Sequence, residues 1–246
     1  MIELAALTES RQFAEAVELQ KTVWGFSDIE LLPVRLFVVA TKVGGQAFGA
    51  FDGGHMVGFL LAIPGLKPGG GSYLHSHMLG VLPAYRNQGL GRMLKLRQRE
   101  DALARGIELV EWTFDPLELK NAFFNMERLG AIVRRYVENQ YGTTTSPLHG
   151  GLPTDRCVAE WWISSAHAEA VIAGCPPARP VEQRIEVPAE IDTIRRAEPR
   201  RAREIQKSLG ARLMRGFDHG LAVVGFERSA SAGVYLLGKW PCASNT

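Results

Sequence analysis

Two histidines one residue apart, His75 and His77, stand just upstream of the hexapeptide Arg86-Asn87-Gln88-Gly89-Leu90-Gly91. An imidazole has an ordinary pKa near 6.5 and can take or relay a proton at neutral pH. Residues two apart on a strand point to the same face, so both rings would serve one site. The hexapeptide offers a different chemistry. A glycine-rich turn that opens into a helix leaves unpaired backbone N–H groups aimed at one spot, and the helix dipole adds positive potential there. Glycines remove the Cβ atoms that would hold a phosphate away from the backbone, and Arg86 supplies a cation. The same glycines would also suit a helix start that binds nothing, so the turn alone leaves both readings open.

Two nucleotide-binding patterns are excluded. The chain has no G-x-x-x-x-G-K-[ST], which removes a P-loop. A dinucleotide-binding turn would need a third small residue where Leu94 stands, and it would follow its strand directly rather than lie beyond Pro83.

These residues need a strand, a turn and a helix in that order, and the surrounding pattern provides them. Residues 2–7 read as a strand. Thr8 is the expected N-cap of a helix running to Gly25, and Pro33 opens a second helix ending near Gly44-Gly45. Strands follow at 46–52 and 55–63 around the hairpin signal Asp52-Gly53-Gly54, and another at 72–82 is ended by Pro83. Residues 89–105 form a helix, 108–114 a strand and 119–129 a helix closed by Gly130, with further strands at 131–141 and 157–163. Beyond 164 come a small-residue helix, a proline linker at Pro176, Pro177 and Pro180, and a basic helical stretch at 190–215 interrupted by Pro199. Two short strands close the chain. The expectation is an α/β (α+β) protein with a mixed, partly antiparallel sheet flanked by helices, and a C-terminal α/β extension.

The string Val81-x-Pro83-x-x-Arg86-x-x-Gly89-x-Gly91 resembles motif A of the GNAT superfamily of N-acetyltransferases, and the element order resembles that fold over residues 1–163. The resemblance implies a catalytic domain at 1–163, an extension at 164–246, and acetyl-CoA or another acyl-CoA as donor. The pyrophosphate would lie on Arg86, Asn87, Gln88, Gly89, Leu90, Gly91 and Arg92. A strand bulge at Leu79, Gly80 and Val81 would align the pantetheine, with Asn121 and Asn125 as further coenzyme contacts. The histidine pair is similar to that of arylalkylamine N-acetyltransferases, which implies that His75 and His77 remove the proton from an acceptor amine. Glu111 is a candidate base or ammonium ligand, set against an ordinary solvent-facing strand carboxylate. The family's usual tyrosine acid is replaced by Met126, leaving Tyr136 and Tyr141 as candidates or an unassisted thiolate. The run Trp112 to Leu117 and the extension resemble a bacterial subgroup of predicted acetyltransferases. That likeness adds succinyl transfer to amino acids as an alternative to acetyl transfer to a small primary amine. A non-catalytic acyl-CoA sensor is a third reading.

The remaining features narrow the class. The chain has 246 residues, 46% apolar and 22% charged, with a formal charge of +2, too small to indicate nucleic acid. Cys157, Cys175 and Cys242 lie far apart with no metal spacing, Cys157 in an apolar strand-like run. No basic leader and no run of about 20 apolar residues is present. A cytoplasmic protein with no metal, membrane or nucleic-acid partner is expected, and a homodimer stays open. In the basic stretch, Ile205, Leu209 and Leu213 are spaced to form the apolar side of a solvated helix. The acceptor would be chosen by the loops at 65–71 and 142–154.

Overall fold

The computed structural model describes residues 1–142 and 151–240, which form two compact units, Met1–Trp112 and Thr113–Thr246. The segment 143–150 of the second expected acceptor loop, and Cys242, lie outside the described residues.

The first unit runs β1 (Ile2–Ala6), α1 (Ser10–Trp24), α2 (Val34–Lys42), β2 (Gln46–Asp52), β3 (His55–Leu66), β4 (Ser72–Val81), a 3-10 turn (Pro83–Tyr85), α3 (Leu90–Ala104) and β5 (Leu109–Phe114). Its strands lie in chain order. β1 to β4 pair antiparallel, and β5 joins β4 in parallel. Gly53 and Gly54 both take positive φ, 54° and 83°, as a two-residue hairpin turn requires. The N-cap of α1 is Glu9 rather than Thr8, because the Gln12 side chain reaches back to accept the Glu9 N–H at 3.1 Å.

Strand alternation sorts the core of this unit onto two faces. Phe59 and Leu61 of β3 face α1 and α2, where they pack with Phe13, Phe37 and Ala40. A Cβ at Gly58, one residue before Phe59 and so on the other face, would lie 3.5 Å from Leu90 of α3. Phe37 and Phe59 are fully buried with ring centroids 6.0 Å apart, each contributing roughly 1.5–3 kcal/mol through burial. α3 buries Leu90, Leu94, Gln98 and Ala102, one position per turn. Leu103, expected on its apolar stripe, is only half-buried. Gln98 is tied to Gln46 of β2 by two bonds, its side-chain amide donating to Gln46 Oε1 at 3.0 Å and its backbone carbonyl accepting from Gln46 Nε2 at 3.1 Å.

The second unit contains α4 (Leu119–Phe123) continuing into a π-turn (Phe124–Arg128), β6 (Ile132–Val137), β7 (Arg156–Trp162) and α5 (Ala166–Ile172). It then runs through β8 (Gln183–Pro188), α6 (Ile191–Ala197), α7 (Pro199–Asp218), β9 (Leu221–Arg228) and β10 (Ala232–Lys239). The strand order is β7-β6-β9-β10-β8, with antiparallel neighbours. β8 is a strand the sequence does not announce, between the proline linker and the basic stretch. It presents only Ile185 and Val187 inward, too short a pattern to stand out, and its strand character comes from pairing with β10. Pro199 does divide the basic stretch, and Leu209 and Leu213 are buried beneath α7 with Ile205 half-buried. Arg195 departs from the expected solvated face. It is 5% exposed and reaches Asp115 at 3.3 Å and Glu118 at 3.1 Å. Among the described residues no helix is long and apolar enough to cross a membrane.

Candidate active site

The glycine turn is built as its composition requires. Asn87 and Gly89 take left-handed φ values of 62° and 82°, and α3 starts at Leu90. The first helical bond is then Met93 N–H to Gly89 O at 3.0 Å, and the N–H groups of Leu90 and Gly91 lie ahead of it in the first turn. The two glycines have separate reasons. Gly89 is demanded by its backbone. Gly91 is not: a Cβ there would meet only Leu79 Cδ2, at an ordinary 3.7 Å. What Gly91 leaves open is space outside the protein's own packing. Arg86 is more than a free cation. Its Nε donates to Val81 O and its Nη2 to Val23 O, both at 3.2 Å, so it clasps the turn to the ends of β4 and α1. Gln88 is exposed and donates back to Ala84 O at 2.8 Å.

Upstream, β4 parts from β5 early. Their parallel ladder has two rungs, Leu74↔Val110 and His75↔Glu111. On the other edge the register with β3 shifts between Leu61↔Met78 and Ala62↔Ser76, which leaves His77 as the extra residue of a bulge. This bulge lies on the β3 edge, two residues before Leu79, Gly80 and Val81. Those three remain paired with Leu60, Phe59 and Gly58 of β3, and their β5-side backbone carries no ladder. Gly80 is small for a packing reason, since a Cβ would stand 3.0 Å from the rings of both Phe59 and Trp24.

His75 and His77 have ring centroids 5.9 Å apart. His75 is half-buried, and its pKa is driven down to about 4, first by burial, then by the His77 charge, with Glu111 opposing and Lys95 adding a smaller depression. Burial also lowers His77, which keeps an exposed edge. Both imidazoles are neutral at neutral pH and able to accept a proton. Glu111 is not a solvent-facing carboxylate: it is 4% exposed and forms an ion pair with Lys67, whose ammonium lies 4.7 Å from the Tyr73 ring centroid. On the opposite face of β4, Ser76 accepts a hydrogen bond from Lys95 Nζ at 2.8 Å. Lys95 is 2% exposed, also donates to Gln98 Oε1 at 3.1 Å and sits 3.7 Å above Trp112, and burial pushes its pKa well below the ordinary range.

Lys67 and Lys95 went unread in the sequence. Lys67 sits in a loop identified only by composition, and Lys95 lies among charges that suggest a wet helix face. The helical spacing from Leu94 to Gln98 was the one available signal for Lys95. A cavity of about 570 Å³ between α1, Val34 and the β2–β3 turn is lined by none of these site residues.

The second unit places its own candidates as follows. Asn121 is exposed and Asn125 is 3% exposed within the π-turn. Met126 is 1% exposed and belongs to the core. Tyr136 donates to Asp155 Oδ2 at 2.7 Å, and burial together with that carboxylate raises its pKa far above the ordinary phenol value. The Tyr141 hydroxyl pairs with Thr113 Oγ1 at 2.9 Å. Cys157 is fully buried with its thiol pKa pushed up. Among the described residues no cluster of three or more His, Cys, Asp or Glu could hold a metal.

Comparison with known proteins agrees with this geometry. Residues 12–130 match the model of the acetyltransferase (GNAT) family. The ribosomal-protein-S18-alanine N-acetyltransferase of Escherichia coli superposes with a TM-score of 0.54 at 19% identity, over 68% of this chain and 96% of that one. Arabidopsis thaliana Naa50, solved with the bisubstrate analogue CoA-Ac-MVNAL, gives 0.51 at 15% identity, over 65% and 97%. A GNAT family acetyltransferase from Elizabethkingia anophelis with acetyl-CoA bound gives 0.50 at 11% identity, over 65% and 97%. No curated protein matches the chain.

Proposed function

We propose that the chain, whose residues 12–130 match the model of the acetyltransferase (GNAT) family, transfers an acetyl or related acyl group from coenzyme A to the primary amine of a small molecule, by direct attack in a ternary complex. One observation carries this reading: the His75–His77 pair, its rings 5.9 Å apart, lies where β4 leaves β5, on the strand that runs into the glycine turn.

Gly91 tests whether the coenzyme fits. Its missing side chain serves no internal packing, and it opens the first turn of α3 to a pyrophosphate on the Gly89, Leu90 and Gly91 backbone. Arg86, Asn87, Gln88 and Arg92 surround that turn, with Arg86 fixing its shape. The unladdered backbone of Leu79, Gly80 and Val81 would take the pantetheine amides. Asn121 and Asn125 remain proposed contacts, of which the exposed Asn121 is the better placed to meet a ligand.

Acyl transfer requires an uncharged amine, and an alkyl ammonium has a pKa of about 10. Glu111 attracts the ammonium, and His75 or His77 takes its proton and passes it through the exposed edge of His77 to water. With Met126 in the core and Tyr136 held by Asp155, the coenzyme departs as a thiolate, which a thiol pKa of about 8.5 permits.

Free-thiol release from acetyl-CoA with a panel of primary amines and amino acids tests the proposal. Turnover with at least one acceptor supports it. Coenzyme A binding without turnover across the panel would instead make the chain a sensor.

A further inference from the structure

An ion-paired lysine already occupies the acceptor face. Lys67 sits at the tip of the β3–β4 hairpin, where its N–H donates to Gly71 O and its carbonyl accepts from Gly70 N–H, both at 3.0 Å. Gly69, Gly70 and Gly71 all take φ near +90°, so the tip folds back sharply over the sheet. From there the side chain runs across the Tyr73 ring and brings Nζ onto Glu111, the residue in register with His75. A primary amine supplied by the chain itself therefore sits on the carboxylate next to the proposed proton acceptors. Other lysines are placed differently. Lys95 is enclosed on the α3 face, Lys21 pairs with Glu18 and Asp28, and Lys42, Lys120, Lys207 and Lys239 are exposed.

Resting on the acyltransferase reading above, we propose that Lys67 is a self-acylation site, the chain's own first acceptor. The Lys67 ammonium gives one proton to the histidine pair, and the amine attacks the thioester carbonyl of a bound acyl-CoA. The Nζ–C bond forms and the C–S bond breaks. Nitrogen loses a second proton, coenzyme A leaves as a thiolate and is protonated, and one proton is released overall. The product is a neutral acyl-lysine, so the Lys67–Glu111 ion pair ends with the reaction.

Peptide mass spectrometry of the full chain incubated with acetyl-CoA and no added amine tests this directly. An acetyl group is expected on Lys67 at least tenfold faster than on Lys42, Lys120 and Lys207, although Lys67 is the more covered residue. The rate constant should not depend on protein concentration. The double variant His75→Gln/His77→Gln should slow Lys67 labelling at least tenfold and leave the slow labelling of the exposed lysines unchanged. Lys67→Arg, which keeps a cation for Glu111, should abolish the modification. Labelling of Lys67 no faster than of the exposed lysines, while an added amine still releases free thiol, overturns the inference and leaves the proposed function standing. Absence of both labelling and thiol release overturns the two together.

Discussion

His75 and Glu111 face each other on the last rung of a two-rung parallel ladder, and beyond that rung β4 and β5 pair no further. A buried carboxylate and a half-buried imidazole thus stand where the sheet opens. The opening exposes strand backbone to a ligand, and the rung holds the two side chains that an ammonium needs, one to attract it and one to discharge it. The bulge at His77 turns the second ring toward solvent, so a proton taken inside has a way out.

Burial displaces the pH dependence of His75 to lower pH than that of an ordinary exposed histidine. His75 has its pKa lowered to about 4, so it stays a free base down to that range. The acid limb of kcat/KM assigned to His75 should therefore fall below pH 5, not near 6.5. His75→Gln and His77→Gln should each lower kcat/KM by about 100- to 10,000-fold, the range expected for a general base. The same shift has a stability sign. The unfolded chain binds a proton near pH 6.5 that the folded His75 refuses until about 4, so stability is full above 6.5 and declines as pH falls toward 4. Urea unfolding between pH 7.5 and 4.5 checks this, and His75→Gln should remove up to about 1.4 kcal/mol per pH unit of the slope. An acid limb near 6.5 that survives in the His77→Gln variant would exclude the assignment to His75.

The two glycines of the turn should separate by what they change. Gly89→Ala forces a side chain into a left-handed backbone and should cost about 1 kcal/mol of stability. Gly91→Gln meets no internal obstacle and suits a helix, so the unfolding midpoint should hold or rise. Its long side chain should raise the Kd for acetyl-CoA at least tenfold, measured by calorimetry. Equal coenzyme affinity in the Gly91→Gln variant would remove the turn from the binding site.

Lys95 should leave an alkaline signature. Burial holds its pKa well below that of the unfolded lysine, about 10.4, so the unfolded state binds the extra proton throughout the interval between them. Stability from this group is complete above pH 10.4 and is lost as pH falls toward the folded value. Wild-type protein should accordingly gain stability between pH 7 and 10, and Lys95→Met, which keeps the stem over Trp112, should lose that gain. Identical pH slopes in the two proteins would show Lys95 to be charged in place.

The sequence by itself determined what depends on neighbouring residues. The strand–turn–helix order around Pro83 and Gly89, the shared side of His75 and His77, the hairpin at Gly53-Gly54 and the split at Pro199 are all local. Each follows from the φ a residue can adopt or from the two-residue period of a strand. The GNAT resemblance was legible for the same reason, since its motif lies within one short stretch. Tertiary structure alone decided what depends on distant partners. Strand character at Gln183–Pro188 required β10, and the burial of Arg195 required Asp115 and Glu118. The uncharged environment of Lys95 required Ser76, Gln98 and Trp112 around it. Lys67 meets Glu111 only because the β3–β4 hairpin folds its tip over β5, 44 residues later in the chain. Local preference specifies the shape of a segment, whereas its partners, and with them the protonation states that make a site reactive, are set by where the rest of the chain comes to rest.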